Sequence, residues 1–236
     1  MPKTFLCAAA IAAGLASLTL IGPARAQAPA PYPAMAPIAQ YRMASRAEEI
    51  ALARSAAPPG ISGQAGVLVL GARDYETAAT GTNGFVCIVE RSWDSDLDDV
   101  EFWNPKNRAP ICYNPAAARS VLPTYLERTR WVLAGATLPE IIARTRAQRE
   151  AKAVPAPEIG AMCYMLSKDG YLSDNAGGHW RPHLMFFVPH TDLASWGADI
   201  KGGPVMGDSN PLDPVTVFFV PVPAWSDGTP AAAMKM

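Results

Sequence analysis

The spacing of apolar residues changes several times along the chain, and each change marks an expected element. Phe5 to Gly22 is a run of small and aliphatic residues with Lys3 before it and Ala24-Arg25-Ala26 after it, the pattern of an export signal with a small-x-small processing site. Residues 1–26 are therefore read as a signal peptide, and 27–40, alternating proline and alanine, as an extended linker. Helical spacing follows from Ser45 to Ser55, opened by the capping-box pattern Ser45-Arg46-Ala47-Glu48 and stopped at Pro58-Pro59-Gly60. The pattern then shortens to strand-like runs at Gly66–Gly71, Tyr75–Thr80 and Phe85–Glu90, with Gly81-Thr82-Asn83-Gly84 as turn chemistry between the last two. These three runs are expected to form an antiparallel meander.

Helical spacing returns after Asn114-Pro115, a cap followed by a first-turn proline, and is interrupted near Pro123. Gly135 ends it, and Thr137-Leu138-Pro139-Glu140 opens a further helix that runs to Pro155. Ala161–Ser167, His183–Val188 and Val215–Val220 read as strands; the last two are apolar on both faces, hence interior, and are expected to pair. Thr191 to Pro214 reads as loop, and residues 224–236 as a flexible tail. The expectation is an α+β domain over residues 41–223: an antiparallel sheet of five or six strands, with the helices of 115–152 packed on one face.

Composition changes this picture little, but it narrows function. Half of the 236 residues are hydrophobic, enough for one core. Removing residues 1–26 takes two basic groups and moves the formal charge from −1 to −3, which argues against a general nucleic-acid partner. No stretch beyond the signal is long and apolar enough to span a bilayer, so no stable membrane insertion is expected after cleavage and the product is read as periplasmic or secreted. Three of the four cysteines survive processing, and an oxidising compartment favours a Cys87–Cys112 disulfide with Cys163 as a buried thiol.

Candidate chemistry concentrates between Gly160 and His190, which holds all three histidines. His179, His183 and His190 are candidate ligands for a divalent metal, although Pro182 prevents the first two from sharing a helical face. The structural alternative has His183 opening a buried strand with its ring bonded to backbone. His179, Arg181 and His183 are the candidate binding residues for a small-molecule or envelope ligand near the 173–190 loop, and Glu90 with His183 is the candidate acid-base pair of a hydrolase. A structural ion pair involving Glu90 or Arg91 competes with that dyad. Asp94, Asp96 and Asp98 start like a calcium loop, but Asp99 and Pro105 stand where glycine and glutamate are needed, so Ser92–Ala109 reads as a solvated acidic excursion pinned by Trp93, Phe102 and Trp103.

At TNGFVCIVER (82–91), ICYN (111–114) and PHLMFFVP (182–189) the chain resembles a group of secreted bacterial proteins. The resemblance spans roughly the mature domain and implies no particular reaction, cofactor or substrate. Asn83, Cys87, Glu90, Arg91, Cys112 and His183 fall inside the shared motifs. His179 and His190 lie at or beyond their edges, and the acidic excursion looks like an addition remote from function.

Overall fold

The computed structural model describes residues 31–174, 178, 180–212 and 215–231; the expected signal peptide, residues 27–30 of the linker and His179 lie outside them. The chain is α+β, built on an open, mostly antiparallel sheet of eight strands: β1 (Gly66–Leu70), β2 (Tyr75–Ala79), β3 (Val86–Glu90), β4 (Ala109–Tyr113), β5 (Met162–Met165), β6 (His183–Pro189), β7 (Met206–Asp208) and β8 (Val215–Pro221). Their order across the sheet is β2-β1-β3-β4-β5-β6-β8-β7. Two strands exceed the expected six. β4 is buried along its whole length and carries Pro110, so it shows neither alternation nor a strong β composition. β7 is three residues long with a central glycine.

The expected meander is corrected as well. β1 and β2 form the antiparallel hairpin, but β3 lies on the other side of β1 and runs parallel to it, pairing Gly66 with Val86 and Val67 with Cys87. The 80–85 loop crosses the start of β1: the Gly66 amide donates to Phe85 O at 2.8 Å and the Thr82 amide to Gln64 O at 2.8 Å. A Cβ at Gly81 would stand 2.1 Å from the Gly66 nitrogen, so this glycine is required by close backbone approach rather than by a hairpin turn. Asn83 braces the same loop, its amide donating to Ile61 O and its oxygen accepting from Phe85 N.

Helices cover both faces, not one. α1 (Arg46–Arg54) starts where Ser45 Oγ accepts the Glu48 amide at 3.2 Å, the cap its sequence encodes. With the short α2 (Pro59–Ser62) it covers one face, where Ala53, Ala56 and Ala57 meet Val67, Val69, Cys87, Val89 and Cys112. α3 (Pro115–Ser120), α4 (Leu122–Leu133) and α5 (Leu138–Glu150) serve the opposite face, where Ala117, Val121, Leu122, Val132 and Ile141 join Ile88, Ile111, Tyr113 and Cys163 in the larger core. Pro123 falls in the first turn of α4 and separates it from α3.

Cys87 and Cys112 are direct partners in the β3–β4 register and form the disulfide. Cys163 is free and buried, and burial pushes its thiol well up. β6 and β8 pair from His183–Pro221 to Pro189–Val215, as their shared apolar character implies. Before residue 41, Tyr32, Met35, Ala36 and Ile38 already pack on the larger core. After 223, Lys168 pairs with Asp227 at 2.5 Å and Ala224 bridges Pro230, so contacts of the domain extend past both expected boundaries.

Candidate functional site

Side chains alternate across a strand, so the face that carries α3–α5 is lined by Glu90, Ala109, Tyr113, Met165, His183, Met185, Phe187, Val217 and Phe219. Above this floor lies a cavity of about 480 Å³. One wall is made by Leu172, Ser173 and Trp180; the other is the acidic excursion, with Asp94, Ser95, Asp96, Asp99 and Asn107. Tyr125 of α4 and Asp208 of β7 complete the lining.

The excursion, expected to be remote from function, is thus a wall of this cavity. Its aromatic residues hold it there. Trp93 is fully buried, donates to Thr129 Oγ1 at 2.9 Å and lies 4.8 Å from the Tyr41 ring. Phe102 and Trp103 pack edge to face at 4.7 Å, and Tyr41 Oη donates to Trp103 O at 2.8 Å. From α4, the buried Arg128 donates to Trp93 O and Ser95 O. Glu101 joins the two walls, accepting from Ser173 Oγ and the Asp174 amide, each at 3.0 Å. The pinning aromatics were legible in the sequence; that they orient the acidic residues over the sheet was not.

Glu90 and Arg91 point to opposite faces, as successive strand residues do. Arg91 is 1 % exposed and its guanidinium nitrogens donate to Tyr41 O, Val89 O and Glu49 Oε1, the last at 2.8 Å. This is the structural ion pair, tying α1 to the end of β3; Glu49 Oε1 also accepts the Leu70 amide at 3.0 Å. Glu90 faces the cavity and accepts from Tyr113 Oη. Burial, then the neighbouring Asp94 carboxylate, holds the Glu90 carboxyl well above its ordinary range, and burial pushes Asp94 up to about 7 against the opposing hydrogen bond from the Arg91 amide. Asp94 Oδ2 accepts that amide at 3.1 Å.

His183 sits at the other side of the floor, 2 % exposed, its ring between Trp180 at 5.3 Å and Phe219 at 5.8 Å. Nδ1 lies 2.7 Å from Arg181 O. A carbonyl only accepts, so the proton is assigned to Nδ1; burial lowers the ring's proton affinity and favours the neutral form. Glu90 on β3 and His183 on β6 both line the cavity, but three strand spacings separate them, about 14 Å, too far for a direct dyad. His183 and His190 stand at opposite ends of β6, about 23 Å apart along the strand, and His190 is exposed with Ser209 Oγ 3.4 Å from its Nδ1. Among the described residues no group of three His, Cys, Asp or Glu side chains converges to hold a metal. Arg181 contributes its carbonyl to His183, while its side chain is exposed.

Among the described residues no helix is long and apolar enough to cross a membrane. Comparison of the chain with protein-family models, with curated proteins and with solved structures finds no match, so the cavity has to be interpreted from its own chemistry.

Proposed function

We propose that this protein is an exported binding module that takes a small organic molecule into the cavity between the acidic excursion and the side chains of Leu172, Ser173 and Trp180. The observation that carries this reading is a cavity of about 480 Å³ whose floor is mostly apolar, with Glu90 and His183 set into it, and whose walls hold polar groups, a size and make-up that small-molecule sites share. The disulfide and the export-signal pattern support a periplasmic or secreted location, in line with the resemblance to secreted bacterial proteins. The hydrolase alternatives gain less support: the Glu90–His183 pair is too widely spaced, and His183 and His190 do not meet.

Nile red, a neutral fluorophore that brightens in apolar surroundings, tests the reading. Saturable one-to-one binding is expected, with Met185→Trp weakening it at least about tenfold because the new ring fills the floor. Absence of saturable binding, or equal binding by the folded variant, refutes the assignment.

A further inference from the structure

His183 brings one more polar atom to the cavity than the protein itself pairs. Its Cβ points to the cavity face of β6, beside its β5 partner Met165, and the residue lines the cavity at 2 % exposure. Nδ1, bonded to the ring carbon that carries the side chain, turns back to Arg181 O at 2.7 Å. With the proton on Nδ1, the neutral ring leaves Nε2 as a bare acceptor at the end of the imidazole farthest from the backbone. Nε2 has no hydrogen-bond partner among the described residues, yet unlike the sealed unpartnered atoms of the interior it keeps accessible surface. On a floor residue of the cavity, such an acceptor is open to whatever the cavity takes in.

The surroundings of the ring narrow what can reach it. Trp180 and Phe219 flank it at 5.3 and 5.8 Å, and Met165 and Met185 share the same floor. A neutral donor loses less hydration on entering such a setting than a charged one. Resting on the binding-module reading, we infer that the cavity takes a neutral hydroxyl compound, a phenol in kind, whose O–H donates to His183 Nε2 while its ring lies along Trp180, Met185 and Phe219. A phenol is favoured over an alkyl alcohol because its O–H is the stronger donor and its flat ring packs against aromatic faces. A metal ion on Nε2 would need further ligands, and among the described residues no three His, Cys, Asp or Glu side chains converge.

Displacement of Nile red by para-propylphenol and by para-propylanisole, which carries a methoxy group in place of the hydroxyl, separates this inference from the broader one. The phenol is expected to bind at least about fivefold more tightly, the effect of one neutral hydrogen bond, although water solvates it better than the ether. His183→Phe should abolish the preference and still bind the ether, which also certifies its fold. Should that variant fail to fold, a chain carrying His179→Asn and His190→Asn keeps His183 as its sole imidazole. In that chain the nitrogen NMR resonance of Nε2 is expected to move on addition of the phenol and to stay in place with the ether. Equal affinities, a preference that survives His183→Phe, or an unmoved resonance overturns the hydroxyl assignment and leaves the cavity reading standing. Failure of Nile red itself to bind overturns both.

Discussion

The two faces of the sheet are built on opposite principles. Under α1 the core is made of alanines, valines and the disulfide, at or near zero exposure, and the ionisable groups buried beside it, Glu49 and Arg91, are paired with each other. On the other face aromatic and methionine side chains border an open cavity, and Glu90 and Asp94 are buried within its lining. Close packing on one side fixes the sheet, and that rigidity lets the other side tolerate buried carboxyl groups that cost stability. Arg91 and Glu90, neighbours in sequence, belong one to each arrangement: the first is satisfied on every guanidinium nitrogen, the second has its carboxyl pushed well above its ordinary range by burial.

The largest effect should come from breaking the ion pair at the seam. Glu49→Ala leaves a guanidinium buried without its partner and is expected to cost about 3–5 kcal/mol in urea denaturation, whereas Glu49→Leu combined with Arg91→Met should recover most of the loss. A single-variant loss near zero would show that the pair is not what joins α1 to the sheet. Next, Cys87→Ala with Cys112→Ala should lower stability by about 3.5 kcal/mol in the chain-entropy description, since the bridge closes a loop of 25 residues. Enlarging one residue on each face then sharpens the contrast. Ala56→Leu, in the dense layer, is expected to cost about 1–3 kcal/mol, and Met185→Trp, which grows into open volume, less than about 1 kcal/mol. Equal costs would mean that both faces are packed alike.

A further contrast is a slope with pH. The folded Asp94 carboxyl keeps its proton up to about 7, while the unfolded one releases it near 3.8, so the native state binds more protons in between and stability falls as pH rises through that window. One such group contributes at most about 1.4 kcal/mol per pH unit, and Glu90, also raised, adds to the fall in the same direction. Asp94→Asn should flatten the profile of urea midpoints between those limits. A profile unchanged by the substitution would show that Asp94 is ionised as readily in the fold as out of it.

Much of the fold was legible because local physics and tertiary packing agree. The caps at Ser45, Asn114 and Thr137, the break at Pro123, the β6–β8 pair and the Cys87–Cys112 partnership all follow from nearby residues or from shared apolar character. What sequence could not supply was lateral order. A run such as Val86–Glu90 states that it is a strand but not which neighbour it takes, and glycines suited to a turn proved equally suited to a crossing loop at Gly81. The histidines attracted attention because they lie close together along the chain, yet β6 carries two of them to its opposite ends. Of the residues lining the cavity, the sequence singled out Glu90 and His183 but presented the aspartates as solvated surface, because an acidic segment taken alone gives no sign of what it packs against; its placement depends on Trp93, Phe102 and Arg128 acting together.

The interleaving of β8 between β6 and β7 bears on how the chain is made. Synthesis proceeds from the amino terminus, so β6 emerges with Leu184, Phe186 and Val188 on a sheet margin that only the closing residues of the chain can seal. Until Val215–Pro221 has been made, that margin is open to any passing strand, and β7 has no place to dock. Nascent chains halted before residue 215 are therefore the species most in need of a holding chaperone.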